Sequence, residues 1–291
     1  MDKLKKHLKG KKNMNMKKMK KVKAKMSSPL SWLGGKRILA PYIVPLIPEH
    51  TCYCEPFAGG AWVFFAKPPS KSEVINDVNR SLVTLYRVVR DNYEEFIQSF
   101  KNELCSRSQF GEYLYDLHDV ERRKKLTDVE IAHRFFYLVK LSFAGQGKTF
   151  GTGTTGKPRL NLGKIPEVIE KAHKRLSRVL IECLDYRRII SKYDREHTFY
   201  YIDPPYRTPS ARSYAQWFVD GDFVALRDIL RSVKGKFLLS LNSDQFIYDL
   251  FSPYFRIEKV KTIYTVQAAG NKEVEELLIM NYDPAGLDPD T

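Results

Sequence analysis

Short apolar runs alternate with amphipathic stretches along most of the chain. "TCYCEPF" (51–57), "SEVIND" (72–77) and "VLIECLD" (179–185) read as strands. Each is followed by a helical pattern: "GGAWVFFAK" (59–67), "NRSLVTLYRVVRD" (79–91) and "YRRIISKY" (186–193). Four more strands are predicted at "TFYYID" (198–203), "KFLLSLN" (236–242), "FRIEKVKTIYT" (255–265) and "EELLIMNY" (275–282), with a helix at "DFVALRDILRSVK" (222–234). Strands that alternate with helices build a parallel sheet covered on both faces. The pattern therefore predicts an α/β, doubly wound domain.

The pattern changes between 91 and 176, where helical segments follow one another without strands. "TDVE" (127–130) has the form of a capping box and opens an apolar-periodic helix through "IAHRFFYLVKLSF". We expect an inserted helical domain at 91–176. The sheet domain is then split into 27–90 and 177–282, flanked by an N-terminal tail (1–26) and a C-terminal tail (283–291).

Charge sharpens this division. The net charge is +15, and residues 1–26 hold 12 Lys against one Asp, so most of the excess lies in the tail. Such a run repels itself, which predicts a disordered tail that either contacts a polyanion or has no dedicated function, and a fold that begins after Met26. The whole chain is 43% hydrophobic in the manner of a globular protein, with no apolar run near the roughly 18 residues that span a bilayer. A cytoplasmic protein without a membrane partner is expected. Cys52, Cys54, Cys105 and Cys183 form no CxxC pair and are expected as small buried hydrophobes, so no metal site is predicted.

The loop "FAGQGKTFGTGTTGKPRLNLGK" (143–164) twice imitates a phosphate-binding loop. Pro158 stands where Gly151 and Gly156-Lys157 would require Ser or Thr, and Ser142 stands where Gly147-Lys148-Thr149 would require a leading Gly. Neither copy follows a strand, so nucleoside triphosphate binding is not expected. A basic loop that follows a nucleic-acid backbone fits its composition.

The predicted strands end on acids. "CEPFAGG" (54–60) turns with small residues that admit a ligand at a helix N-terminus, "INDVN" ends on Asp77, and "ECLDYRR" carries Asp185. "YYIDPPYRTP" (200–209) ends on Asp203 and two prolines, which lack N–H groups and fix φ, so the carbonyls around them escape the ladder. Together these define one crevice at the carboxyl edge of a sheet.

With "SWLGGKR" (31–37) placed first, these segments resemble Dam-type, D12 class alpha-group DNA adenine-N6 methyltransferases, over about residues 29–282. The resemblance implies a Rossmann-like S-adenosylmethionine-dependent methyltransferase sheet with an inserted helical DNA-recognition domain, acting on double-stranded DNA in a prokaryote or phage. It implies that Trp32, Gly34 and Lys36 close over the cofactor, and that Glu55, Pro56, Phe57, Gly59 and Gly60 lie against its methionine portion. Asp77 would take the ribose hydroxyls and Asp185 the cofactor's adenine. Asp203 would border the cofactor and, with the Pro204 carbonyl and Pro205, receive the target amino group, while Tyr206 stacks on the base. Ser31, Lys148, Lys157 and Arg159 would contact DNA.

An adenine amino nitrogen is a poor nucleophile, because its lone pair is delocalised into the ring. Two fixed acceptors favour the pyramidal form that can attack a sulfonium methyl, and neither a metal nor a covalent nucleophile is needed. Methylation of RNA or of cytosine N4 shares this logic, and an inert DNA-binding module is the non-enzymatic alternative. Two positions depart from the family: Ala61 stands where a glycine is usual, and Ser31 and "FAGQGK" replace the Lys and the Asn-Gly-Leu segment common in enzymes that read GATC.

Overall fold

The computed structural model describes residues 14–15, 19–32, 34–151, 160–207, 218–266 and 270–284. A two-residue strand β1 (Met14–Asn15) is followed by β2 (Cys52–Glu55), β3 (Ser72–Asn76), β4 (Leu180–Glu182), β5 (Thr198–Ile202), β6 (Lys236–Asn242), β7 (Arg256–Val266) and β8 (Gly270–Met280). They form one sheet in the order β1-β7-β8-β6-β5-β2-β3-β4. The strands from β2 to β6 pair in parallel, whereas β8 runs antiparallel to both β6 and β7. The sheet is thus mixed at one side, because a hairpin returns the chain from β7 to β8.

Alternation along the strands separates two buried faces. Tyr53, Ile75, Tyr201 and Leu278 point to one, and Cys54, Tyr200, Leu239 and Leu277 to the other. Burial of both faces explains why the strands read as nearly continuous apolar runs. The first face lies under α1 (Ala40–Ile43), α2 (Trp62–Ala66) and α3 (Arg80–Asp91). The insert follows as α4 (Tyr93–Gln98), α5 (Arg107–His118), α6 (Val120–Arg123), α7 (Asp128–Leu141) and α8 (Ile165–Leu176). The second face is covered by α9 (Tyr186–Tyr193), α10 (Asp220–Leu230) and α11 (Gln245–Phe251).

The insert occupies the crossover between β3 and β4. Its Phe96, Phe136 and Ile169 belong to the same apolar cluster as Leu82 of α3 and Tyr53 of the sheet, so these helices extend one face of the core. At its start α7 carries the expected capping box, with Thr127 and Glu130 bonding each other's backbone N–H groups.

Two expectations are corrected. Residues 19–26 pack on the domain: Met19 is buried, and the Val22 and Lys25 amides donate to the Pro41 and Ala66 carbonyls at 3.1 and 3.0 Å. The reason is a period-2 stripe hidden among the lysines, with Val22, Ala24 and Met26 turned inward and Lys21, Lys23 and Lys25 outward. Residues 1–13 and 16–18 of the expected tail lie outside the described residues. Of the cysteines, Cys52 and Cys54 are buried on one sheet face, but Cys105 is exposed and Cys183 half-buried. Among the described residues, no helix is long and apolar enough to cross a membrane.

Candidate active site

Topology puts the crevice beside β2. From β2 the chain builds outward through β3 to β4, then returns to β5 on the other side of β2 and builds outward again. Ligands of open α/β sheets bind at such a reversal, beyond the carboxyl ends of the strands. Glu55 ends β2, and Asp203 follows β5 directly. Asn76, at the end of β3, ties three strand ends together: its Nδ2 donates to the Pro56 and Leu184 carbonyls, and its Oδ1 accepts from the Leu184 amide. A fully buried asparagine in a strand was not singled out from the sequence, where it reads as an ordinary polar strand end.

Glu55 is buried, and its Oε1 accepts from the Tyr53 hydroxyl and from the Phe64 amide. Burial raises its pKa to about 8, although those two donors and Lys67 oppose the shift. Burial thus favours the neutral form of Glu55.

The turn after β2 is shaped by close packing. Gly59 has φ +46°, and a Cβ there would lie 2.8 Å from Trp32 Nε1, so the indole rests on the glycine backbone. Ala61 also adopts a left-handed conformation (φ 49°, ψ 39°), at the N-cap of α2. This accounts for the glycine that the family usually keeps there. Ala61→Gly is expected to relieve local strain and stabilise the fold by up to about 1 kcal/mol, read from urea unfolding.

Asp77 braces the turn. Its Oδ2 accepts from the Gly59 amide and its Oδ1 from the Asn79 amide, each at 2.9 Å, while Asn79 caps α3. Each oxygen keeps a further lone pair. Burial raises the Asp77 pKa. Asp185 lies farther out, as the N-cap of α9. Its side chain accepts from the Arg187 amide at 2.9 Å and pairs with the Arg187 guanidinium, which also binds Asp222. Phe57 stacks on Tyr186, the residue after Asp185, with ring centroids 5.3 Å apart.

The strand end at β5 meets the N-terminal glycine segment. Lys36, almost fully buried, donates to Asp203 Oδ1 and to the Tyr206 hydroxyl, each at 2.6 Å. Ser240 on β6 donates to the same Oδ1 at 3.3 Å and is itself linked to Tyr201. Among the described residues Asp203 Oδ2 takes no bond, so one oxygen is anchored and the other is open. Burial raises the Asp203 pKa to about 6, with Lys36 holding it down. The prolines carry the backbone past the ladder, and Arg207 then pins it. Its guanidinium pairs with Asp220 of α10 and with Asp244, the N-cap of α11, and its carbonyl accepts from Asn242.

Two buried polar atoms near the crevice have no hydrogen-bond partner among the described residues: Trp62 Nε1 and Asn242 Oδ1. A Cβ on Gly35 would lie 2.5 Å from that indole nitrogen, which places an unused donor between the Trp-x-Gly-Gly-Lys segment and the turn.

The insert reaches the same region. Trp32 contacts Phe135 of α7 at 6.2 Å between ring centroids, and Gly145 (φ +73°) abuts the Ser31 carbonyl so closely that a Cβ would approach it to 2.1 Å. Ser31 and Lys148 are exposed. Gly34 lies exposed on the segment with φ +72°. Lys157 and Arg159 fall outside the described residues.

A sheet in this order, with an Asp-Pro-Pro-Tyr strand end beside the reversal and a glycine turn facing it, has the architecture of the Rossmann-like methyltransferases. The chain belongs to the D12 class N6 adenine-specific DNA methyltransferase family, whose sequence model matches residues 32–266. It is similar to the Type II methyltransferase M1.LlaDCHI of Lactococcus lactis subsp. cremoris, with 32% identity over 270 residues covering 86% of this chain and 94% of that protein. The Type II methyltransferase M.MjaIII of Methanocaldococcus jannaschii is 28% identical over 285 residues (87% and 98%). The DNA adenine methylase of Escherichia coli K12 is 24% identical over 276 residues (89% and 96%). The protein is a site-specific, adenine-specific DNA methyltransferase and uses a methyl donor.

Proposed function

We propose that the methyl donor is S-adenosylmethionine and that the acceptor is the N6 amino group of an adenine flipped out of double-stranded DNA, received by Asp203, Pro204, Pro205 and Tyr206. The observation that carries this reading is the divided Asp203 carboxylate, with Oδ1 held by Lys36 and Ser240 and Oδ2 open beyond a rigid Pro-Pro strand end. An acceptor oriented before the base arrives acts on the transition state, where the amino nitrogen pyramidalises. Tyr206 offers a ring beside that acceptor, and a base must leave the duplex to reach it.

The residues around the turn fit the proposed donor. The unused Trp62 N–H suits a carboxylate, the remaining lone pairs of Asp77 suit ribose hydroxyls, and Glu55 suits an ammonium. Trp32, Gly34, Pro56, Phe57, Gly59 and Gly60 would form the walls, and Asp185 would take the adenine amino group. S-adenosylmethionine would supply an electrophilic methyl on a good leaving group, so the protein's task is in-line positioning. Lys148, Lys157 and Arg159 would contact the phosphate backbone, with Ser31 near the duplex.

Tritiated methyl transfer to duplex DNA, single-stranded DNA and RNA tests the substrate, and methylation-sensitive sequencing of the product gives base and site together. Label on cytosine or RNA alone would overturn the assignment. The Asp203 titration adds a pH prediction. Protonation removes the acceptor, so kcat/KM for DNA should fall on an acid limb near pH 6 and stay flat above it until other groups titrate.

A further inference from the structure

We propose that Glu276 on β8 is a positioning residue for methyl transfer: it holds the Lys36 ammonium and the Tyr206 hydroxyl so that the Asp203 carboxylate and the Tyr206 ring keep one arrangement. The proposal rests on the roles given above to Asp203 and Tyr206.

Glu276 occupies a position where an acid is costly. It is fully buried, and along β8 it shares a face with Leu278 and Met280, within the apolar cluster. In the ladder it lies opposite Asn242 of β6 and Val260 of β7. A carboxylate there persists only if it is paired and hydrogen-bonded. It is: Lys36 Nζ lies 3.2 Å from Oε1, and the Tyr206 hydroxyl donates to the same oxygen at 2.7 Å.

The order of donors gives Glu276 its effect. Lys36 donates to the Tyr206 oxygen, and the Tyr206 proton goes on to Glu276, so the hydroxyl is held from both sides. The Lys36 ammonium also lies 4.6 Å from the centre of the Tyr206 ring. Without the Glu276 carboxylate the hydroxyl loses this acceptor, and with it one anchor of the ring. The Lys36 ammonium, which pairs with both carboxylates, would then act more strongly on Asp203.

Among the described residues the groups facing Asp203 are Lys36 from the N-terminal segment, Glu276 on β8, Ser240 on β6, Tyr201 on β5 and Glu55 on β2. Of these, Glu276 raises the Asp203 pKa and Lys36 lowers it. Neutralising Glu276 should therefore move the Asp203 acid limb to lower pH.

The test compares wild type, Glu276→Gln and Glu276→Asp. Cofactor affinity is read by quenching of tryptophan fluorescence, chemistry by single-turnover transfer at saturating cofactor and DNA, and base position by 2-aminopurine at the target. For Glu276→Gln we expect cofactor affinity within about threefold of wild type, a single-turnover rate lowered roughly 10- to 100-fold, a brighter 2-aminopurine complex and an acid limb at lower pH. Glu276→Asp keeps the charge and should return the limb to its wild-type position.

Wild-type transfer with an unshifted limb in Glu276→Gln would overturn the proposal. So would a parallel loss of stability, cofactor affinity and rate in both variants with the limb unmoved, since that marks a purely structural carboxylate. A wild-type enzyme that transfers no methyl to DNA would sink the underlying reading, and this proposal with it.

Discussion

Asp203→Ala is expected to bind cofactor and DNA yet to transfer methyl groups roughly 10²- to 10³-fold more slowly, the usual cost of one preorganised transition-state contact. In the proposed role the open oxygen acts when the amino nitrogen pyramidalises and contributes little to holding the duplex, so the loss should lie in kcat. Tyr206→Ala should behave differently. It removes a stacking surface worth about 1–3 kcal/mol, weakening capture of the flipped base while leaving the acceptor in place. A duplex with 2-aminopurine at the target separates the two, since this base is quenched on an aromatic ring and brightens when unstacked. On that duplex the Asp203→Ala complex should show the wild-type fluorescence and the Tyr206→Ala complex should be brighter, while on a duplex with adenine at the target both should keep only slow residual turnover. Robust methylation by Asp203→Ala would falsify the role of that carboxylate.

Gly145→Ala is the second large effect expected. The new Cβ would meet the Ser31 carbonyl at 2.1 Å, and the backbone there is left-handed at φ +73°. Strain and overpacking together should cost about 2–4 kcal/mol, measured by urea unfolding. The neighbour is backbone of the segment that carries Trp32, and Trp32 rests on the Gly59 turn. The displacement should therefore reach the proposed cofactor crevice as well as the loop proposed to contact DNA. Cofactor affinity, read from tryptophan quenching, should weaken along with DNA affinity. Replacing Lys148, Lys157 and Arg159 with Ala provides the contrast: DNA affinity and its salt dependence fall, with a slope change of about 0.9 for each phosphate contact removed, while cofactor binding holds. A Gly145→Ala enzyme with unchanged stability would show that the Ser31 segment yields without cost.

The local chemistry was legible in the sequence wherever it depends on neighbours along the chain. β6 and α9 fall where "KFLLSLN" and "YRRIISKY" predict, because period and caps are written locally. The Thr127–Glu130 box is a four-residue motif and forms as such. The Asp-Pro-Pro-Tyr strand end was also readable, since proline stops a ladder in any context.

Tertiary structure alone decided the rest, because charge and burial are set by residues distant in sequence. Nothing local marks Glu276 as buried, as a glutamate in "EELLIMNY" reads as an outward face, and only the meeting of β8 with Lys36 and Tyr206 makes it interior. The lysine-rich segment 19–26 looked solvated because its charge outweighs its apolar stripe, until the surface beside α1 and α2 gives Ala24 and Met26 somewhere to pack and the Val22 amide a carbonyl to bond. Asp77 and Asp185 appeared equivalent as strand-end acids. The fold separates them, because Asp77 is drawn inward by the Gly59 amide while Asp185 is held at an exposed helix cap by Arg187. The sequence determined which groups are available for the chemistry, and the three-dimensional packing determined which of them share a low-dielectric pocket, where partners fix their charge and direction.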